Sequence, residues 1–219
     1  MHTVEGSTPI EAWKAALKYI VRKGFDFEDD DKRICREVLN LILTINKPDE
    51  YNIIKPVEIL NNFNYWKYPP LDEIKRVMLG NKLAPDYAYS YGPRIFNFQN
   101  SVNQVNDFVI PLLKENKTTR RAIVSIFDPV KDSNMLSSDT PGLIAIDFKL
   151  RNNKLNVTAI IRSNDLFFGW PANVYQIFVL QDYIRKQLGV DTGTITTFSV
   201  SAHLFRDQLD YVNEILEEN

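Results

Sequence analysis

Two arginine clusters have the residue types and placement to do chemistry. Arg120-Arg121 precedes the apolar run Ala122 to Phe127, and Arg162-Ser163 follows the apolar run Leu155 to Ile161. Charged groups at the ends of apolar strands sit where a sheet meets solvent or a cleft. A guanidinium presents a planar fork of donors matched to phosphate oxygens, and a neighbouring serine adds a hydroxyl donor. Two such clusters could clamp one phosphate, although strand-end solvation or ion pairing is the commoner outcome. His203 follows the β-branched run Thr194 to Ser201, and Asn173 comes just after Pro171 at a helix start. A lone histidine at a strand end is more often structural than catalytic, and asparagine at a helix start is commonly a cap. Cys35 is the only cysteine, which excludes an internal disulfide and a cysteine-based zinc site. With only His2 and His203 besides, no metal is expected.

The elements that must position these groups are legible in part. The chain has 219 residues, enough for one sizeable core, and reads as a single domain over residues 1–219. Its net charge of −2 supplies no basic field for a nucleic-acid backbone, so any anion site must be local. Acidic Glu5 and Glu11 near the start argue against a signal peptide. No run approaches the roughly 18 apolar residues of a membrane span, so no membrane partner and a soluble cytoplasmic location are expected. Ser7-Thr8-Pro9 opens a helix that ends at Gly24. Asp26 to Arg33 reads as a surface loop and Val38 to Ile45 as a strand. Asp49 to Pro70 has no clear periodicity, Leu71 to Leu79 fits a short helix, and Asp86 to Asn100 reads as an ordered loop. Ser101 to Asn116 reads as a helix with Val102, Val105, Phe108 and Val109 inward, kinked or split by Pro111. A strand over Arg121 to Phe127 follows, then a hairpin of Gly142 to Leu150 and Lys154 to Arg162 turning at Asn152-Asn153. A helix from Asn173 to Leu188, a strand from Thr194 to Ser201 and a helix from Arg206 to Glu217 close the chain. Helices mixed with hairpin-connected strands point to an α+β fold.

The order of these residues carries more than any one of them. Arg120-Arg121-Ala-Ile-Val, Asp139-Thr140-Pro141, Arg162-Ser163-Asn164-Asp165, Gly169-Trp170-Pro171-Ala172-Asn173 and Ala202-His203-Leu204-Phe205 together resemble thymidylate synthase. The resemblance covers Arg120 to about Leu209, and its most specific part is R-S-x-D followed by G-x-P-x-N. Upstream, Tyr91-Gly92 resembles the family's Y-G element, and Arg33 or Arg36 matches its phosphate-loop arginine. The resemblance implies a mixed, twisted sheet with helices on one side and the other face at a two-fold dimer interface. It implies that Arg162, Ser163 and Arg36 bind the 5′-phosphate of a pyrimidine nucleotide. Arg120 and Arg121 would reach the partner's phosphate, so the sites of an obligate homodimer would be composite. Asn173 would pair with the base edge, leaning toward uracil. His203 would bond the sugar hydroxyl, and Asp165 would sit near the base or the folate. Tyr91 would contact the base or belong to the core. The implied cofactor is methylenetetrahydrofolate or a related pterin.

The pattern breaks where the family's chemistry is done. That chemistry needs a thiolate that adds to C6 of the pyrimidine and makes C5 nucleophilic toward a folate-bound one-carbon unit. The family's P-C-H reads Pro141-Gly142-Leu143 here, Asp147 replaces a glutamine, and Phe205 replaces a tyrosine that holds the sugar. Gly142 has no side chain to attack with. Loss of the tyrosine hydroxyl would relax sugar recognition. Cys35 is a poor substitute, because a free cysteine is usually a small buried hydrophobe. Glu58 and Glu73 are candidates for the family's proton-relaying glutamate. Three readings of Gly142 stay open: a cysteine removed by engineering, a nucleotide-binding homologue without this chemistry, or an enzyme doing something else to a pyrimidine nucleotide, with Asp147 and Asp165 as its carboxylates.

Overall fold

The structure, a computed structural model, describes residues 1–63, 67–83, 89–135 and 140–217. The fold is α+β. Its strands are β1 (His2–Gly6), β2 (Phe25–Glu28), β3 (Ile34–Ile45), β4 (Ile123–Ser125), β5 (Leu143–Arg151), β6 (Lys154–Asp165) and β7 (Asp191–Phe205). They form one mixed seven-stranded sheet in the order β1-β3-β7-β6-β5-β4, with β2 paired to β3. The β1–β3 and β6–β7 pairs are parallel and the others antiparallel. The helices are α1 (Pro9–Lys23), α2 (Lys55–Asn62), α3 (Leu71–Leu79), α4 (Tyr91–Phe96), α5 (Ile110–Glu115), α6 (Pro129–Asp132), α7 (Gly169–Leu188) and α8 (Leu209–Glu217). None is long and apolar enough, among the described residues, to cross a membrane.

Local signals explain most element ends. Thr8 caps α1 through its hydroxyl, Pro9 occupies the first turn, and Gly24 follows the last. Gly189 takes a left-handed φ of 66° and closes α7 by accepting the chain reversal that a β-carbon would oppose. Asn152 and Asn153 both adopt positive φ, the geometry of a tight two-residue hairpin between β5 and β6. The span Gln104–Val109 is a π-helical turn in which the N–H of Ile110 reaches the carbonyl of Val105. Helix α5 then starts with Pro111 in its first turn, where a missing N–H costs no intrahelical bond.

Several expectations need correction. Phe25–Glu28, which overlaps the start of the expected loop, is a strand because it finds a partner in β3. Phe108 is exposed, since the π turn rotates the segment away from a 3.6-residue stripe, and Val102 is exposed before that turn, bridged to Phe98. The region Asp49 to Pro70 contains α2, and Tyr91–Phe96 is helical rather than loop. The rest of the expected Asp86 loop falls partly on residues 84–88, and Asp139 also lies outside the described residues. Helix α7 begins at Gly169, so Asn173 lies within its first turns and is not a cap. Strand β7 runs through His203 to Phe205, because pairing on both sides with β3 and β6 extends it.

The sheet has a break that places the site. Buried positions are odd-numbered in the first part of β6 (Leu155, Val157, Ala159, Ile161) and β7 (Ile195, Thr197, Ser199), and then shift to even-numbered Asn164 and Ala202. Strand β3 does the same, with Leu41, Leu43 and Ile45 buried on one side and Val38 on the other. Asn40, with φ of 57°, lies at the break in β3. The pairs Leu41–Ser199–Ile161 and Leu39–Ser201–Ser163 keep the same register across it, so all three strands change face together. Such an offset re-aims side chains at one line of the sheet. Helices α1 and α7 cover one face, while the other leaves Ile42, Phe198 and Ile160 only partly buried in one row.

Candidate functional site

Gly142 sits beside the break, immediately before β5. Its carbonyl accepts the N–H of Arg162 at 2.8 Å. The Arg162 side chain turns the same way, donating Nε to the carbonyl of Pro141 at 3.0 Å and Nη2 to that of Thr140 at 2.6 Å. The guanidinium thereby ties β6 to the segment leading into Gly142, and among the described residues Nη1 makes no hydrogen bond. Ser163 is exposed beside it. Tyr91 is buried against this corner: the Leu143 N–H bonds its phenol oxygen, and burial pushes the phenol's pKa far up, Tyr89 adding to this. It is held there by a close approach. A β-carbon at Gly92 would lie 2.1 Å from the carbonyl of Gly80, so only glycine lets α4 pack so near the end of α3. The buried Arg94–Asp132 ion pair ties α4 to α6.

Nothing in the backbone requires glycine at 142. Its φ is outside the left-handed region, and among the described residues an added β-carbon would meet only the Ser163 carbonyl oxygen, at 3.0 Å. A side chain fits there if that carbonyl gives by a few tenths of an ångström.

Past the break, Glu37, His203 and Asp165 form one row across β3, β7 and β6. Burial pushes the His203 imidazole's pKa below its usual 6.5, while the Asp165 and Glu37 carboxylates pull it back up. Burial also raises Asp165, opposed first by the nearby His203. Asp165 is well held: Oδ1 accepts the N–H groups of Phe167 at 2.7 Å and Phe168 at 3.1 Å, and Oδ2 accepts from Gln208 at 3.2 Å. This carboxylate shapes the turn from β6 into α7. Trp13 of α1 adds a bond to the Leu166 carbonyl at 2.6 Å, and Trp170 of α7 bonds Thr197 of β7 at 3.0 Å. Glu37 is buried and accepts a hydrogen bond from Ser201. Beside the row, Arg33 lies over the Phe205 ring at 3.3 Å.

Asp165 also lines a cavity of about 430 Å³ with Tyr68, Ile74, Val77, Phe168 and Ala172. It is the only charged group among the described residues that line it. An apolar slot with one carboxylate acceptor suits a flat heterocycle with N–H groups on its edge, so the residues present fit a pterin.

Not all expected residues converge. Arg36 forms a two-pronged ion pair with Asp26 (Nε at 2.7 Å, Nη2 at 3.0 Å) and bonds the Val21 carbonyl, which ties its guanidinium to β2 and α1; Arg33 is the arginine beside His203. Arg120 and Arg121 are exposed before β4. Phe148 N–H bonds the Ala122 carbonyl, so these arginines lie at the far end of β5 from Gly142 in the same chain. Asn173 is half-buried on α7. Cys35 is buried, its thiol pushed up to about 11 by burial and Asp29, which leaves it no thiolate character. Glu58 is exposed and paired with Lys55 on α2, and Glu73 is half-buried near the start of α3. Sequence reasoning missed Glu37, Ser201 and Gln208. A carboxylate within the strand pattern of β3 was the available signal for Glu37.

Comparison with known proteins places the chain in a family. The family model for thymidylate synthase matches residues 26–219. A Methanosarcina barkeri protein named "Putative thymidylate synthase" is 32% identical over 214 residues, covering 98% of this chain and 94% of its own. A protein of the same name from Methanococcoides burtonii is 31% identical with the same coverage. The deoxyuridylate hydroxymethyltransferase of Bacillus phage SP01 is 26% identical over 241 residues, covering 100% of this chain and 62% of its own. The matched span includes the Gly142 corner, the Asp165–His203 row and the strands that bring them together, and the chain belongs to the thymidylate synthase family.

Proposed function

We propose that the protein binds a pyrimidine 5′-monophosphate, a uracil nucleotide first among them, at the break in the sheet. The observation that carries this is the convergence there of Tyr91, Arg162 and Ser163 on Gly142, with Asp165 and His203 one step along the same strands. The free Nη1 of Arg162 and the Ser163 hydroxyl are donors for the phosphate. Asn173 offers an amide donor and acceptor to the base edge. The relatives' names, thymidylate synthase and deoxyuridylate hydroxymethyltransferase, support the uracil preference. Arg120 and Arg121 lie too far along β5 to join the same chain's Gly142, and one sheet face carries a partly open apolar row. Both features support a homodimer whose partner subunit supplies the arginines.

The parent reaction is methylation or hydroxymethylation at C5, and a methylenetetrahydrofolate-type pterin in the Asp165 cavity would supply the one-carbon unit. This chain lacks the nucleophile, because Gly142 has no side chain and Cys35 is buried and protonated. It therefore binds nucleotide without turning it over by that route. Calorimetry with dUMP, dCMP, UMP and CMP tests the binding claim. Binding of at least one is expected, and failure of all four overturns it. A monomer by light scattering would remove the composite site.

A further inference from the structure

We propose that Glu37 and Ser201 are positioning residues that fix His203 as the Nδ1–H tautomer, so that its Nε2 accepts a hydrogen bond from a sugar hydroxyl. The nucleotide part of this rests on the function proposed above; the tautomer part does not. Glu37 and His203 face each other across β3 and β7, and Ser201 is on the same strand as His203. The Ser201 hydroxyl donates to Glu37 Oε1. A carboxylate only accepts, so the serine's single proton is committed to Glu37, and what its oxygen still offers is acceptor capacity. That oxygen lies 3.5 Å from His203 Nδ1, at the long end of hydrogen-bond range. An acceptor at that position calls for a proton on Nδ1, and a neutral imidazole then carries its lone pair on Nε2.

Asp165, on the other side of His203, does not compete for the ring proton. Its hydrogen bonds run to Phe167, Phe168 and Gln208, and among the described residues none reaches the ring. Burial lowers the proton affinity of His203, which favours the neutral ring that a tautomer argument requires. Phe205, whose ring centroid lies 5.2 Å from that of His203, has no hydroxyl to offer a sugar. Glu37 and Ser201 therefore restore by orientation some of the sugar discrimination that a tyrosine there would give directly.

The chain has two histidines, which makes the test simple. Long-range ¹H–¹⁵N correlation spectra of the uniformly labelled full-length protein, assigned with His2→Gln, report the tautomer of His203 directly. Above the imidazole's pKa, wild type should give the Nδ1–H pattern. Ser201→Ala and Glu37→Gln should move it toward Nε2–H, and Ser201→Thr, which keeps the hydroxyl, should restore it. An Nε2–H pattern in wild type, or no change in Ser201→Ala, overturns the proposal whether or not any nucleotide binds. The ligand arm compares dUMP with its 2′,3′-dideoxy analogue by calorimetry. Removing the hydroxyl should weaken binding to wild type about tenfold, the effect of one good hydrogen bond, and to Ser201→Ala by under about threefold. Equal losses in both proteins overturn the hydroxyl assignment. Absence of nucleotide binding to wild type overturns that assignment too, together with the proposed function, and leaves the tautomer result to be judged on its spectrum.

Discussion

The corner at Gly142 and the row at His203 lie on the same strands but are held by different kinds of contact. At the corner, Arg162 bonds the carbonyls of Thr140 and Pro141, its own N–H bonds the Gly142 carbonyl, and Tyr91 takes the Leu143 N–H. Every one of those contacts has a backbone group on one side. Along the row, Ser201 bonds Glu37 and Gln208 bonds Asp165, side chain to side chain, while Asp165 also takes the Phe167 and Phe168 N–H groups. A backbone-held corner keeps its shape whatever stands at position 142. A side-chain-held row changes when any one of its members changes. Gly142 thus stands where a change of side chain is little felt by the fold, and Asp165 and His203 stand where a change is felt more.

The strongest test of that contrast is Gly142→Cys. The backbone is already in an ordinary conformation and one carbonyl must shift slightly, so folding should be preserved, with ΔΔG within roughly 1 kcal/mol. With methylenetetrahydrofolate and labelled dUMP, dCMP, UMP or CMP, tritium release from C5 should rise from background to measurable turnover. No release with any of the four, from a folded variant that binds nucleotide, would mean that more than the thiol has been lost.

Asp165→Ala probes the other side. It leaves the N–H groups of Phe167 and Phe168 and the Gln208 amide without their acceptor at the start of α7. A loss of about 2–4 kcal/mol in urea unfolding is expected. A loss as small as that of Gly142→Cys would erase the distinction between the two regions.

Arg162→Ala should weaken nucleotide binding by at least ~1.5 kcal/mol, roughly tenfold, with little change in fold stability, since Arg162 is itself an exposed residue. A large stability loss with unchanged affinity would make Arg162 structural only.

The smallest effect is on pH. Folded His203 binds its proton less readily than in the unfolded chain, so the unfolded state takes up the proton first as pH falls. Stability should decline as pH drops below the ordinary value of 6.5 toward the folded one. His203→Gln should flatten that limb of the stability curve, and an unchanged limb would show that the burial of this ring is not felt by the fold.

The sequence by itself determined the features that rest on local chemistry or on residue identity. Thr8-Pro9 and Gly24 bound α1, Leu71 to Leu79 forms α3, and Asn152-Asn153 makes the hairpin turn, because capping and turn conformations depend on neighbouring residues. The absence of a nucleophile at Gly142 and the order of the Arg162, Asn173 and His203 motifs were equally readable. What depends on register between distant strands emerged only with the folded sheet. Glu37 meets Ser201 across 164 positions of chain, Arg36 closes on Asp26 of β2 instead of a phosphate site, and Asn40, Arg162 and Val200 mark one line where three strands change face together. Side chains that far apart carry no shared periodicity, so their pairing exists only once the strands have chosen partners and the sheet has fixed which residues stand side by side.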